Sequence, residues 1–414
     1  MHILILGGRG LIGAALATAL RLRGHQVAIL SRHASNSDEI SANFADLIQP
    51  QDWLPHLNNV DVLVNAVGIF CESATQTFAD LHVKAPLALF AACEQLGLKR
   101  VIQISALGAA STAITPYWRS KGEADEALMK SQLDWTIVRP SLIYSPNGTS
   151  SQVFCQIASL PLLPDLQGLS QVQPVHLDDV IALLVKLIEA RAANHQIVEA
   201  VGATAMPLHQ WWQALRSAMN MKNTISIKVY PWQQYLAMRV CQYMGFSLLN
   251  ADSLAMLKAD NTGDENPMRE LLGRSPKAAV PDAAQSETQR QAALLAWLLP
   301  LLRWSLAAVW LLTAVVSWHF PRADSFALLG QAGMSATWQP LLFYGSVALD
   351  VAFGIACLLN RYWRWQIVLV LFYSVIIAIQ IPEFLWHPFG PLLKNLPILA
   401  LLLMLDQLKT PRHR

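Results

Sequence analysis

Charge is what this sequence has least of. Asp, Glu, Lys and Arg make up 14% of its 414 residues, against about a quarter in ordinary soluble domains. The shortfall is local. Charges are ordinary up to about Arg290 and scarce from 292 to 405. A front with soluble character is therefore followed by a back with the composition of membrane segments. The charges nearly cancel, at a formal +2, so no bulk basic field exists and nucleic acid is not expected as a partner. Cysteine is sparse too. Cys71, Cys93, Cys155, Cys241 and Cys357 form no C-x-x-C and no His/Cys cluster. That argues against a structural zinc site or a disulfide framework and suits a reducing compartment. Met1-His2 supplies no basic n-region, and the apolar stretch after it is short, so no secretory signal peptide is expected.

What is present begins at once. An apolar run, Ile3 to Leu6, breaks into glycines, and a helical pattern follows over 11–22. That is a buried strand, a tight turn and a helix start. Gly7, Gly10 and Gly13 fit G-x-x-G-x-x-G, while Gly8, Gly10 and Gly13 fit G-x-G-x-x-G. Such glycines allow a sharp turn, close backbone approach to a pyrophosphate and tight helix-on-strand packing. The helix N-terminus adds free N–H groups and a positive dipole end. Gly7, Gly8, Arg9, Gly10, Leu11, Ile12 and Gly13 are thus the expected dinucleotide turn.

The front continues to alternate. Strands are expected at 26–30, 60–67, 101–105 and 135–138, and helices at 76–96, 121–130 and 180–188. This order implies right-handed βαβ units and an α/β fold, a Rossmann-like doubly wound parallel sheet with its ligands at the carboxyl ends of the strands. From 208 to 273 the pattern becomes more helical and is expected to complete a substrate side. The expected divisions are a dinucleotide-binding domain with that substrate side at 1–273, a Pro-, Ala- and polar-rich linker at 274–292, and a four-helix transmembrane domain at 293–414.

Four apolar segments carry the last expectation: 301–320, 341–359, 366–385 and 392–405. Three approach the ~20 residues a spanning helix needs, and the last requires its flanks. A helical domain buried all round is the rival, but four such segments in succession are hard to bury in a chain this size. Arg361 and Arg364 lie between the second and third segments, and Lys409, Arg412 and Arg414 follow the fourth. The positive-inside tendency makes these ends, and with an even number of spans the front domain, cytoplasmic. The expected site is an inner membrane, with the lipid bilayer as a partner.

Tyr117 and Lys121 have the Tyr-x-x-x-Lys spacing, which puts both on one helix face. A lysine there is expected to lower the tyrosine's pKa and to hold a ribose hydroxyl, so that the phenol exchanges a proton with a carbonyl or alcohol. Ser105, at the end of the preceding strand, is placed to bind the same oxygen. Arg32 follows the second strand, where a carboxylate would favour NAD(H). An arginine suits the 2′-phosphate of NADP(H), with Arg9 assisting. NADP(H) is therefore the expected cofactor and NAD(H) the alternative. His176 with Asp178 and Asp179 is read as a loop before a helix with acids near its N-terminus rather than a metal site. Lone histidines such as His82 and His209 are read as structural.

Together these residues resemble the short-chain dehydrogenase/reductase superfamily, in its extended or atypical branch, over roughly 1–273. The carrying pieces are the glycine turn, Asp46-Leu47, Asn65-Ala66-Val67-Gly68, Ile104 to Gly108, Tyr117 with Lys121, Arg139 to Tyr144, and Pro174 to Asp179. The resemblance implies that Asp46 and Leu47 lie beside the adenine. It implies that Asn65, Ala66 and Gly68 pass the nicotinamide ribose, which Lys121 also holds, and that Ser105, Tyr117 and Lys121 do acid–base work. It is nearest the branch with the nucleotide-binding accessory subunit of respiratory complex I and epimerase-like proteins. Ser145 departs from it, standing where a glycine is usual. Some atypical members bind cofactor without catalysis.

The back resembles a DoxX-like family domain from about 304 to 405, on Leu349-Asp350-x-x-x-Gly354 and the string from Pro382-Glu383 through Trp386, Pro388 and Lys394 to Pro397. Some relatives are linked to quinone-coupled oxidation, which the resemblance implies as one option. Asp350, Glu383 and Lys394 are its ionisable residues of interest. Three readings follow. The first is a membrane-anchored oxidoreductase or epimerase-like enzyme on a small amphipathic, membrane-delivered substrate. The second is a non-catalytic cofactor-binding sensor or assembly module with a membrane-complex partner. The third is a quinone-linked electron-transfer partner.

Overall fold

A computed structural model describes residues 1–32, 39–98, 100–243, 251–386, 390 and 392–408. The chain divides into two compact units, Met1–Ala293 and Leu294–Arg414.

The first unit is built on one sheet. Its strands are β1 (His2–Leu6), β2 (Gln26–Ser31), β3 (Glu39–Ser41), β4 (Val62–Asn65), β5 (Val101–Ile104), β6 (Trp135–Pro140) and β7 (Gln196–Ala200). The order is β7-β6-β5-β4-β1-β2-β3, with every pairing parallel. Chain order reverses between β1 and β4, and a crevice opens there beyond the carboxyl ends of the strands. The unit's helices include α1 (Leu11–Leu22), α2 (Ala85–Gln95), α3 (Pro116–Lys130), α4 (Thr149–Ala158), α5 (Leu177–Glu189) and α6 (Leu208–Ala218).

The alternation of β1 sorts its side chains between two cores. Ile3 and Ile5 pack with Leu16 and Leu20 of α1 and with the apolar face of α5. Leu4 and Leu6 pack on the other side with Trp53, Leu63, Phe90 and Val101. Both faces are covered, which is why the central strands read as unbroken apolar runs. A wide π-type turn, Ala79–Lys84, leads into α2. Pro86 explains it. Proline lacks an N–H and its ring clashes with the carbonyl four residues back, so a regular turn cannot pass through His82.

A third core gathers Tyr144, Cys155, Leu163, Trp211, Trp212 and Leu215 on the substrate side. The stretch 274–292 packs onto this unit. Trp211 donates through Nε1 to the Ala279 carbonyl at 2.8 Å, Arg274 pairs with buried Asp179, and Lys277 pairs with Asp178 at 2.7 Å. His176 caps α5, its Nδ1 accepting the Asp178 N–H at 3.1 Å.

In the chain's apolar back, three helices are long and apolar enough to cross a membrane: α7 (Ser286–His319), α8 (Gln339–Leu358) and α9 (Trp363–Gln380). Four were expected. The segment at 392–405 forms a helix of 13 residues, Asn395–Gln407, about 20 Å at 1.5 Å per residue and short of a ~30 Å hydrocarbon core. It packs beside α9, where Arg364 pairs with Asp406 at 3.0 Å and Asn395 donates to Ser374 Oγ at 2.8 Å. Gly354 lets α8 approach α7. A Cβ there would lie 2.6 Å from Leu311 Cγ. Buried Gln366 accepts from Trp310 Nε1 at 3.0 Å. Leu312, Val316, Trp365 and Ile379 are exposed, the outward apolar faces a lipid solvent requires. Glu383 and Lys394 are exposed and Asp350 is half-buried. Pro388, Lys409, Arg412 and Arg414 lie outside the described residues.

Candidate active site

The glycine turn follows β1 directly. Gly7 has φ +72°, and a Cβ on it would lie 2.8 Å from the Ala66 carbonyl oxygen, so this position favours glycine twice over. A Cβ on Gly13 would lie 2.4 Å from the Gly7 carbonyl oxygen, and one on Gly8 would meet Ile29. Gly10 caps α1, and its N–H donates to the Gly7 carbonyl at 2.9 Å. The turn thus brings bare backbone and the α1 N-terminus to the sheet's crevice.

A cavity of 1060 Å³ opens there. Arg9, Gly10, Leu11, Gly68 and Tyr117 line it together with the apolar side chains of Phe154, Trp212 and Met256. Ser145 lines it as well. Its N–H donates to Ser151 Oγ at 2.9 Å and its carbonyl accepts from Gly148 at 3.0 Å, so a buried turn is held where a glycine is usual. Of the expected site residues, Arg9, Gly10, Leu11, Gly68 and Tyr117 line the cavity, while Gly7, Gly8, Ile12, Gly13, Arg32, Asp46, Leu47, Asn65, Ala66, Ser105 and Lys121 lie outside its wall. Arg32 and Asp46 are exposed. Asn65 is buried and braces the end of β4, donating to Gln103 at 2.9 Å and accepting from the Val67 N–H at 3.2 Å. Arg9 pairs with Glu39 at 2.7 Å.

Tyr117 and Lys121 share the inner face of α3, as the spacing requires. Their electrostatics differ from expectation. Burial pushes the Tyr117 phenol up to about 12 rather than down. Lys121 is directed to the backbone, donating to the carbonyls of Val67 at 3.0 Å and Ile104 at 3.2 Å. Burial pushes it down to about 8, against the opposing pull of Asp125. Ser105 Oγ donates to Asp125 Oδ2 at 2.7 Å, and the same oxygen accepts from Arg139 Nη2 at 2.8 Å. Burial raises the Asp125 pKa, while Ser105, Arg139 and Lys121 oppose that rise. Ser105 therefore spends its proton on Asp125 and presents lone pairs elsewhere.

Against this geometry stand the comparisons with known proteins. An NAD(P)H-binding family model matches residues 7–161, and a DoxX-like family model matches residues 307–403. The front of the chain is thus similar to NAD(P)H-binding domains and its back to DoxX-like domains. It is 28% identical over 204 residues to the Arabidopsis thaliana mitochondrial NADH dehydrogenase [ubiquinone] 1 alpha subcomplex subunit 9, covering 45% of this chain and 49% of that one. It is 28% identical over 189 residues to a ceramide reductase of Caulobacter vibrioides, covering 44% and 59%. The chain thus spans about half to three fifths of these two relatives. A human epimerase family protein solved with NADPH shares the fold, with a TM-score of 0.53, 16% identity and coverage of 70% and 99%.

The turn suits a dinucleotide's pyrophosphate, because Gly10 caps α1 on the cavity wall with no side chain in the way, while at Gly7 and Gly13 a Cβ would strike the Ala66 and Gly7 carbonyl oxygens. Two buried ionisable side chains, Asp125 and His82, neighbour the pair Tyr117 and Lys121. Asp125 lies four residues beyond Lys121 on the same helix face, a spacing that signals interaction. His82 was read as structural. It is buried beside the Tyr117 ring, with centroids 5.8 Å apart. Its Nε2 accepts the Ile69 N–H at 3.1 Å and its Nδ1 meets Ser120 Oγ at 2.9 Å, which fixes the Nδ1–H tautomer. Burial, aided by Lys121, pushes its pKa down to about 2, so the imidazole is neutral. His82 and Lys121 together hold the loop after β4 against α3.

Proposed function

We propose that the chain is a membrane-anchored, NADPH-preferring reductase of an amphipathic carbonyl compound delivered from the bilayer. One observation carries this. The glycine turn, Tyr117 and a broad apolar wall share one cavity, so a dinucleotide, a proton donor and a hydrophobic chain have adjoining places. The relative named a ceramide reductase supports a lipid-like substrate.

The bound nicotinamide would supply hydride. Gly7, Gly8, Arg9, Gly10, Leu11, Ile12 and Gly13 would hold the pyrophosphate at the α1 N-terminus. Asp46 and Leu47 are assigned to the adenine, and Asn65, Ala66, Gly68 and Lys121 to the nicotinamide ribose. Arg32 is assigned to the 2′-phosphate. Tyr117, titrating near 12, keeps its proton at physiological pH and acts as a donor to the carbonyl oxygen as that oxygen gains charge. Lys121, one turn on, stabilises the phenolate left behind. Ser105 donates its hydrogen bond to Asp125, which leaves protonation of the carbonyl oxygen to Tyr117 and makes Ser105 an acceptor for the Tyr117 hydroxyl. The first unit is assigned to the cytoplasm of an inner membrane, from Arg361 and Arg364 between two candidate spans.

A cofactor-binding module without turnover is the second reading, favoured by the relative named as a subunit of NADH dehydrogenase. The experiment that separates them is incubation of the purified chain with NADPH and a lipid and quinone extract. Mass spectrometry then identifies what gains two hydrogens. Stoichiometric NADPH oxidation with a reduced amphipathic product is expected. Tight NADPH binding with no consumption from any fraction would favour the module.

A further inference from the structure

Over its described side chains, 231–239, the helix Pro231–Tyr243 is inside out. A surface helix of a soluble domain buries its apolar stripe and turns polar residues to water. Among its described side chains Gln234 is the buried one, donating through Nε2 to the carbonyls of Gln167 and Val229, both at 2.8 Å. Trp232, Tyr235 and Leu236, spaced i, i+3, i+4 on one face, are 66%, 55% and 58% exposed. Ile225, Ile227 and Tyr230 extend the patch along and beyond the preceding strand, Ser226–Val229. Contiguous apolar exposure of this kind marks an interaction surface.

The charge carried by 222–239 itself has one sign. No Asp or Glu occurs between Glu199 and Asp252. Lys222, Lys228 and Arg239 are exposed within that stretch, and Arg239 lies over the Tyr235 ring, 5.9 Å from its centroid. The neighbouring carboxylate is Asp165, opposite Lys228 in the strand pairing, and it pairs with His209 at 3.1 Å. Exposed Trp and Tyr, aliphatic side chains and a basic rim are the composition of segments that lie in a headgroup region. The strand Ser226–Val229 pairs in parallel with Leu163–Leu166, setting Val229 opposite Leu166, which lines the cavity. The patch is therefore one strand away from the apolar part of the site.

We propose that the face formed by 222–239 docks on an anionic lipid surface, laying Trp232, Tyr235 and Leu236 among the headgroups and Lys222, Lys228 and Arg239 against their phosphates. A lipid-like molecule leaving that surface would have one strand to pass to reach the cavity wall.

The test uses the full chain in nanodiscs of phosphatidylglycerol with phosphatidylcholine, in nanodiscs of phosphatidylcholine alone, and in detergent. Hydrogen exchange is followed in peptides covering 222–239, and no turnover is involved. Exchange should be slowest in the anionic discs and speed up in 0.5 M salt, which screens the charges. Removing the basic residues one at a time, as Lys222→Gln, Lys228→Gln and Arg239→Gln, should cost about fivefold in protection each. Trp232→Ala should also lower protection while NADPH affinity, the check on folding, is unchanged. Equal exchange in all three environments would overturn the proposal. So would protection that follows protein concentration and not lipid charge, which would make the patch a contact between copies.

Discussion

Gly13→Ala isolates the cradle. One methyl group is added, and its position is fixed by the backbone. It would lie 2.4 Å from the Gly7 carbonyl oxygen and 2.8 Å from Gly8 Cα. Both neighbours are backbone, so no rotamer change relieves the contact. The turn and the first residues of α1 must separate by roughly 1 Å to restore ordinary contact distances. Overpacking of this kind costs about 1–3 kcal/mol of stability. Because the displaced atoms are those assigned to the pyrophosphate, NADPH affinity should fall by at least about tenfold, or ~1.4 kcal/mol. Gly24→Ala is the control. Gly24 has φ +81° with nothing near its would-be Cβ. Alanine there costs about 1–2 kcal/mol of backbone strain but leaves the turn alone. Calorimetric NADPH titration and thermal unfolding in one detergent should show both variants destabilised and Gly13→Ala alone weakened in binding. Equal loss of affinity in the two would mean that global stability, not the cradle, sets binding. Unchanged affinity in Gly13→Ala would refute the assignment of the turn.

Much of the frame was legible because local and global preferences agree in it. The Ile3–Leu6 run ends in glycines whose conformations the fold uses, and the central strands are apolar on both faces. What escaped were elements with weak local signals. β3 has three residues, and β7, Gln196–Ala200, carries Gln196 and Glu199 and sits at the sheet edge. The helix expected over 76–96 begins as a wide turn because Pro86 disallows a regular one. At the site, residue types and spacing placed Tyr117 beside the turn residues. They could not give the sign of its shift, which depends on burial and on Lys121 reaching the carbonyls of Val67 and Ile104. Nor did they give the hydroxyl of Ser105 to Asp125, although the four-residue step from Lys121 to Asp125 was in view. The last apolar segment needed its flanks to span, and its helix gains none on the N-terminal side, since it begins only at Asn395.

Three further outcomes follow from the same geometry. The reduction rate should be full below about pH 8, where Lys121 carries its charge and Tyr117 its proton, and should fall as pH rises through 8. His82 should contribute no limb between pH 5 and 8, so a rate that climbs across that window would contradict the assignment. Asp125→Asn should move the basic limb below 8, since Asp125 holds the Lys121 pKa up. It should also cost about 3 kcal/mol, because the Arg139 guanidinium loses its buried partner. A pH–rate profile read with a thermal melt checks both parts. Arg32→Asp should reverse or erase a preference for NADPH over NADH in calorimetry, and equal affinities for both cofactors in the unmodified chain would remove the role given to Arg32.

The central claim is that Tyr117 is the proton donor of a working reductase. Tyr117→Phe keeps the ring, with its packing against Phe70 and His82, and removes only the hydroxyl. Turnover on the substrate identified from the extract and NADPH affinity are measured on the same preparation. Turnover should fall by ~10²–10⁴, the range for one general acid, with affinity unchanged. Full turnover in Tyr117→Phe would contradict the account.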